Sequence, residues 1–157
     1  MVFDMDGSWG TKDAATNLAH ELGHAFGLIH EHQKWSAHHP DTVNGRNYAL
    51  VKFNCKNLKD YQPRVTPDEQ CTIQGKASAA GFSAQDFLPY DSFSTNGQST
   101  DFDWSSIMLY SSFAGAKNPN SKKIEDATLL DYNNVIIKPN MEPSKADAGA
   151  IKLLYPK

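Results

Sequence analysis

The feature that most constrains this chain is the segment HELGHAFGLIHE at residues 20–31. It follows the pattern H-E-x-x-H-x-x-G-x-x-H, whose fixed positions are His20, Glu21, His24, Gly27 and His30. On a helix, His20 and His24 are one turn apart on the same face, so both imidazoles can bind one metal ion. Gly27 can end the helix in a left-handed turn without steric cost. The reversed chain could then bring His30 to the same ion as a third ligand.

Three histidine ligands leave the fourth position of a tetrahedral zinc ion open for water, as catalytic zinc sites require. Glu21 directly follows the first histidine, so its carboxylate can reach that water without binding the metal. The pattern therefore predicts a Zn²⁺ site with His20, His24 and His30 as ligands and Glu21 as the general base.

The same segment has two other interpretations. It could be an amphipathic core helix that happens to contain histidines, with an apolar stripe formed by Leu18, Leu22, Ala25 and Phe26. It could also be a purely structural zinc site. Structural sites usually have four protein ligands, typically including cysteine, so three histidines beside a glutamate favour the catalytic interpretation.

A second motif lies downstream, where residues 106–110 read SIMLY. Together the two motifs resemble the metzincin metallopeptidases, whose zinc motif is followed by a Met-turn. Two details resemble the astacin family in particular: Glu31 directly follows the third histidine, and Tyr110 lies two residues after Met108. The carboxyl-terminal stretch PSKADAGAIKLLY is also similar to the closing helix of that family.

The resemblance implies an α+β, metzincin-like (zincin) catalytic domain over residues 1–157. Its loop-rich lower half would contain the active-site helix and a carboxyl-terminal helix. In this family the tyrosine matching Tyr110 is a switchable zinc ligand that stabilises the transition state, and Met108 would form a structural floor beneath the metal. Only 19 residues precede His20, so we expect the family's upper sheet to be largely missing and the apolar face it would cover to be exposed.

The function predicted from these features is a zinc-dependent endopeptidase. The alternative is a truncated or non-catalytic zinc-binding module of the same fold. The absent upper sheet favours the module, whereas the presence of both Glu21 and Tyr110 favours the enzyme. The predicted partner is a protein or peptide substrate, and the oligomeric state stays open.

Composition excludes other classes of partner. A formal net charge of −3 and a pI near 6.0 give no electrostatic reason to expect nucleic acid. The sequence contains no run of 18 apolar residues, so no membrane span is predicted. At 157 residues, the chain is suited to one domain.

The two cysteines, Cys55 and Cys71, either form a disulfide or are two buried free thiols. The resemblance favours the disulfide, because astacins are typically secreted and disulfide-bonded, and disulfides persist in oxidising compartments. Secretion is therefore expected. Residues 1–13 are acidic and lack an apolar core, so they do not form a signal peptide, and we expect the chain to be a mature portion.

Local patterns predict further elements. The active-site helix should begin near residues 11–14, capped by Thr11 or Asp13, and run to Phe26. Ser144 and Asp147 have the spacing of a capping box before a closing helix that reaches about Tyr155. Residues 60–100 are expected to be irregular, with a short helix at residues 83–88 capped in the same way by Ser83 and Asp86.

A turn is predicted at residues 118–120 and a short strand at residues 135–137. Asp4 and Asp6 are expected in a plain turn and not in a cation loop, since a third oxygen ligand in the usual calcium spacing is missing. The remaining histidines near the zinc motif, His32, His38 and His39, are interpreted as solvated loop residues.

Overall fold

The computed structural model describes residues 13–42, 45–90 and 101–156, which form a small mixed domain of helices and strands. Asp4, Asp6 and Thr11 lie outside the described residues. The α-helices are α1 (Ala14–Ala25), α2 (Trp35–His38), α3 (Gln74–Ala79) and α4 (Lys145–Leu154), and the strands are β1 (Val51–Phe53) and β2 (Leu129–Asp131). Short 3₁₀ helices lie at Glu31–Gln33, Cys55–Asn57, Asp68–Cys71, Ser83–Asp86 and Ile124–Asp126. This agrees with the α+β class at a coarse level.

The two strands pair antiparallel, with Val51 opposite Asp131 and Phe53 opposite Leu129. The strand predicted at residues 135–137 is wrong, because within it only Ile136 makes a bridge, to Leu130. Asp131 explains the difference, since its Oδ1 accepts from the backbone N–H groups of Asn133 and Val135. These bonds hold a tight turn where a longer ladder would otherwise continue.

Helix α1 begins and ends where the sequence predicts. The Asp13 side chain accepts from the backbone N–H groups of Ala15 and Thr16, which satisfies two donors that have no partner within the helix. At the other end Gly27 has φ +91°, and Leu28 N–H donates to Gly23 O. This is the left-handed helix ending that glycine favours, and it reverses the chain toward His30.

Helix α4 contains the predicted capping box. The Ser144 hydroxyl accepts from Asp147 N–H, and the Asp147 carboxylate accepts from Ser144 N–H. The helix has Tyr155 as its C-cap. The turn predicted at residues 118–120 is also present, because Ser121 N–H donates to Asn118 O.

The stretch between residues 60 and 90 is more regular than predicted, because α3 lies within it. The helix expected at residues 83–88 is only a 3₁₀ turn, and its predicted capping box is wrong. Ser83 instead donates its hydroxyl to Asp60 Oδ1 at 2.6 Å, and Asp60 Oδ2 accepts from its N–H. A carboxylate 23 positions away in sequence thus replaces the local partner.

The predicted disulfide between Cys55 and Cys71 is present, with the two Cα atoms 5.6 Å apart. It joins the 3₁₀ helix after β1 to the one before α3. Among the described helices, none combines the length and the apolar character that crossing a membrane requires.

Buried apolar side chains form three clusters that meet at the segment 107–110. One cluster contains Phe82 and Phe87, with Tyr110 packed against it; a second contains Leu109 and the strand residue Val51. The third contains Ile107 and Met108 and receives one face of α1 and of α4. This segment therefore sets the position of α1 relative to the rest of the core.

The other face of α1 is exposed. Leu18, Leu22 and Phe26 are 45%, 44% and 43% exposed, respectively. These residues are the stripe that a core helix would have buried, so the core-helix interpretation is wrong. An apolar face is thus exposed on α1, and that an upper sheet covers this face in metzincins stays an expectation from the resemblance.

Candidate metal centre

The structure brings His20, His24 and His30 together. His20 and His24 point from the same face of α1, and the turn at Gly27 returns His30 to them. The Nε2 atom of His30 lies 3.2 Å from that of His20 and 3.0 Å from that of His24. One nitrogen from each ring lies within 4.8 Å of the others, which is close enough for all three to hold one metal ion.

Hydrogen bonds on the far side of each ring determine which nitrogens face one another. His20 Nδ1 lies 2.9 Å from Ile107 O, and His24 Nδ1 lies 2.9 Å from Leu28 O. A backbone carbonyl can only accept, so both Nδ1 atoms carry the proton and both Nε2 atoms present a lone pair. His30 Nδ1 lies 2.7 Å from the side-chain oxygen of Gln33, which accepts in the same way.

Three lone pairs that face each other repel unless a cation lies between them. Because all three protons are on Nδ1, the short Nε2 separations cannot be hydrogen bonds. The arrangement could hold a metal ion, with each neutral imidazole binding through one nitrogen and donating through the other.

Burial favours the neutral form of two of these histidines, His20 and His30. His30 is 8% exposed, and its burial, followed by the nearby His32, His24 and His20, holds its pKa well below the usual range. Burial also lowers the pKa of His20, against an opposing effect of its bond to Ile107. Neutral imidazoles are the form that binds a metal, so protons compete weakly here at neutral pH.

Glu21 lies on α1 next to the first ligand and is partly exposed. Burial lowers the pKa of His20, and the negative charge of Glu21 opposes that effect. Burial raises the pKa of Tyr110, and the charge of Glu21 raises it further. The carboxylate is therefore near enough to both sides of the site to interact electrostatically with each. It is not among the atoms that converge with the three imidazoles.

Tyr110 places its ring against the ligands. Its centroid is 4.3 Å from that of His30 and 6.0 Å from that of His20. Burial, together with the negative charges of Asp86 and Glu21, raises the pKa of its phenol above the usual range. The phenol keeps its proton at neutral pH and can donate a hydrogen bond.

Met108 packs against α1. Leu109 N–H donates to Ser106 O across a tight turn, and Met108 O accepts from Glu31 N–H. The side chain of Met108 is 1% exposed, and its sulfur is so close to α1 that a Cβ added at Gly23 would lie 2.6 Å from it. The glycine between the two helical ligands therefore allows this close approach.

The buried carboxylate of Asp147 holds this turn on α4. It accepts from the Ser106 hydroxyl at 2.6 Å and from Ile107 N–H at 3.0 Å. Since Ile107 O is the acceptor for His20, Asp147 helps to hold the residue that orients the first ligand.

Two of the three histidines interpreted as solvated are not. His32 is fully buried, donates from Nε2 to Asp86 O at 2.8 Å, and has a pKa lowered by burial to about 3. His38 donates to His32 O, and burial lowers its pKa to about 4. His39 stacks on the exposed ring of Trp35, with the two centroids 3.6 Å apart. The burial arises because residues 83–88 cover this side of the site.

The residues after His30 also contribute contacts that the sequence analysis missed. Glu31 is buried and binds Lys34 Nζ at 2.7 Å and Asp103 N–H at 2.8 Å through the same oxygen. Burial raises the pKa of Glu31, and Lys34 opposes that rise. Gln33 is fully buried beside His30. In the sequence, the only indication that Gln33 contacts the site is its position three residues after His30.

No protein-family model matches this chain, and no curated protein is similar enough to count as a match.

Proposed function

We propose that this protein is a zinc-dependent endopeptidase with a metzincin-like site of the astacin type. The observation that carries the proposal is the convergence of three Nε2 lone pairs beside a carboxylate and a half-buried phenol. Two imidazole nitrogens bound tetrahedrally to one zinc ion at about 2.0–2.1 Å lie roughly 3.3 Å from each other. The separations of 3.2 and 3.0 Å are close to that value.

The composition of the site also favours a catalytic centre. Within residues 13–42, 45–90 and 101–156, no other histidine, cysteine or acidic side chain joins the three imidazoles. Both cysteines are joined in the disulfide, so neither is a thiolate ligand. A set of three protein ligands leaves room for water, which structural zinc sites exclude.

In this mechanism, His20, His24 and His30 would hold the zinc ion, which when bound would supply the Lewis-acid chemistry that acidifies water and polarises the scissile carbonyl. Glu21 would act as the general base, taking a proton from the attacking water molecule and delivering it to the leaving amine. The phenol of Tyr110 donates a hydrogen bond to the oxyanion that develops on the carbonyl oxygen. His20, His24 and His30 hold the geometry through their Nδ1 hydrogen bonds.

The proposed substrate is therefore a protein or peptide, and the proposed location is extracellular. The disulfide is consistent with an oxidising compartment. The net charge of −3 offers nothing to attract a polyanion.

A second candidate is a non-catalytic zinc-binding module of the same fold. The exposed stripe on α1, formed by Leu18, Leu22 and Phe26, favours it. A peptidase needs a surface that aligns the substrate backbone, and an uncovered apolar face is a typical partner-binding surface.

The Glu21→Gln variant separates the two candidates. We expect it to bind one zinc ion per chain, as the wild type does, because Glu21 is not a ligand. We expect cleavage of a quenched fluorescent peptide to fall by about 10²–10⁴-fold, because the general base is lost. The matched control is Glu125→Gln, which alters an exposed glutamate in the short helix Ile124–Asp126 and should leave cleavage unchanged. Full activity in the zinc-loaded Glu21→Gln chain would refute the assignment of the base.

A further inference from the structure

Gln33 makes three side-chain hydrogen bonds while fully buried. Its Oε1 lies 2.7 Å from His30 Nδ1, and its Nε2 lies 2.8 Å from Gln85 O and 3.0 Å from Leu88 O. One amide thus joins the third histidine of the metal centre to the segment that covers it.

These partners fix the orientation of the amide. Backbone carbonyl oxygens only accept, so the group that faces Gln85 and Leu88 must be the donating NH₂. The reverse orientation would bring the amide oxygen against two carbonyl oxygens and leave their lone pairs unsatisfied in a buried place. The oxygen of Gln33 therefore faces His30, and the proton of His30 must be on Nδ1.

The third histidine differs from the other two in this respect. His20 and His24 are oriented by backbone carbonyls, which no substitution removes. The acceptor for His30 is a side chain, so its tautomer depends on which residue occupies position 33. The acceptor is also a neutral amide, which orients the ring without adding charge to the site.

We propose that Gln33 is a positioning residue for metal binding, which holds His30 in the tautomer whose Nε2 lone pair faces the other two imidazoles. Its backbone contributes to the same link, because Tyr90 N–H donates to Gln33 O at 3.1 Å. The inference rests on the metal site of the proposed function but does not require peptide hydrolysis.

Two substitutions test this role. Gln33→Met keeps a similar volume and removes all three hydrogen bonds. Gln33→Glu keeps an acceptor for His30 but removes the NH₂ donor to Gln85 and Leu88. Both substitutions should destabilise the protein. If Gln33 had only a structural role, both variants would therefore bind zinc more weakly than the wild type. If Gln33 positions His30, only the Gln33→Met variant should bind zinc more weakly.

The measurements are zinc affinity, by competition with a chromophoric chelator, and the His30 tautomer of the metal-free protein, by ¹⁵N NMR. For Gln33→Met we expect zinc to bind about 10–100-fold more weakly, the usual effect of losing an outer-shell partner. We also expect His30 to lose its single Nδ1–H tautomer. For Gln33→Glu we expect zinc to bind as tightly as in the wild type or more tightly, because a carboxylate raises the basicity of the imidazole it orients.

Ser83→Ala is the control. It removes the hydroxyl bond to Asp60 in the same covering segment without touching a ligand, so it should reduce stability and leave zinc affinity unchanged. A Gln33→Met chain that binds zinc as tightly as the wild type would overturn this inference alone. A Gln33→Glu chain that binds zinc more weakly than the wild type would also overturn this inference. This second variant provides the test if the Gln33→Met chain does not fold. A wild-type chain that binds no zinc would contradict the proposed function and this inference together.

Discussion

At the scale of single residues, Tyr110 lies against the histidines of the candidate metal centre and also packs against the core. Its ring lies against His30, packs on Phe87 at 5.4 Å, and extends the aromatic group formed with His32. Its backbone N–H donates to His32 Nδ1 at 3.4 Å. The residue is therefore held from two sides beside the metal centre.

The Tyr110→Phe variant tests whether the phenol acts in catalysis. We expect kcat for a quenched peptide to fall by about 10²–10³-fold, which is the usual cost of losing one oxyanion donor. Zinc stoichiometry and the midpoint of thermal unfolding should change little, since the ring contacts remain. Undiminished kcat in the variant would remove Tyr110 from the mechanism.

His38 makes stability depend on pH. Burial lowers its pKa from 6.5 to about 4 in the folded protein, while its bond to His32 O opposes this effect. Between these values the unfolded chain binds a proton that the folded chain does not. The contribution of neutral His38 to the free energy of unfolding is thus fully present above pH 6.5. It is lost as pH falls toward 4, by up to about 1.4 kcal/mol per pH unit.

The His38→Gln variant should remove the part of this sensitivity that comes from His38, because the amide can still donate to His32 O but cannot take up a proton, whereas the buried His32 keeps its own contribution. Urea unfolding of the two proteins at pH 7 and pH 5 gives the comparison. The free energy of unfolding should fall more steeply with acid in the wild type, and equal slopes would contradict the role given to His38.

Sequence reasoning at this scale succeeded where the relevant contacts are local. The spacing of His20 and His24 on one helix, and Gly27 three residues later, determines the trio almost by itself. The burial of His32 and Gln33 could not be predicted in that way. It depends on Asp86 O and Leu88 O, which are 54 and 55 positions away in sequence.

At the scale of elements, α1 depends on how closely it approaches the turn that carries Met108. Gly23 is buried at that contact, where an added Cβ would lie 2.6 Å from the sulfur and 3.6 Å from Leu28. Alanine is intrinsically better than glycine within a helix by about 1 kcal/mol. Packing and helix propensity therefore act in opposite directions at this position.

We expect packing to dominate, so that Gly23→Ala lowers the free energy of unfolding by about 1–3 kcal/mol, the usual cost of overpacking. Zinc affinity should fall with it, because the helix carrying two ligands must shift. Gly149→Ala is the matched control, since it lies within α4 with no neighbouring atom within 4 Å of the added Cβ, and should stabilise the protein. Urea unfolding measures the change in the free energy of unfolding for both variants. If Gly23→Ala stabilised the protein as Gly149→Ala does, the close approach of α1 to Met108 would be refuted.

Elements defined by adjacent residues were predictable, and those defined by distant partners were not. The capping box of Ser144 and Asp147 was predicted and is present, because both partners lie within one turn. The same spacing at Ser83 gave a wrong prediction, because Asp60 binds that serine instead. Helix α3 could not be predicted from an apolar pattern, because it has six residues and buries Ala77 alone among them.

At the scale of the whole molecule, three apolar clusters meet at residues 107–110, the segment against which α1 and α4 pack beside the candidate metal centre. The coarse α+β class could be expected from the sequence, whereas the metzincin architecture stays a prediction from the resemblance. The opposite side of α1 carries an exposed apolar stripe.

The most direct test of the central claim is a titration of the metal-free protein with Zn²⁺ while cleavage of a quenched fluorescent peptide is followed. We expect no cleavage before zinc is added, a rise that saturates at one zinc ion per chain, and full reversal by a chelator. A chain that binds one zinc ion tightly and cleaves nothing, or that cleaves equally well without metal, would contradict the account.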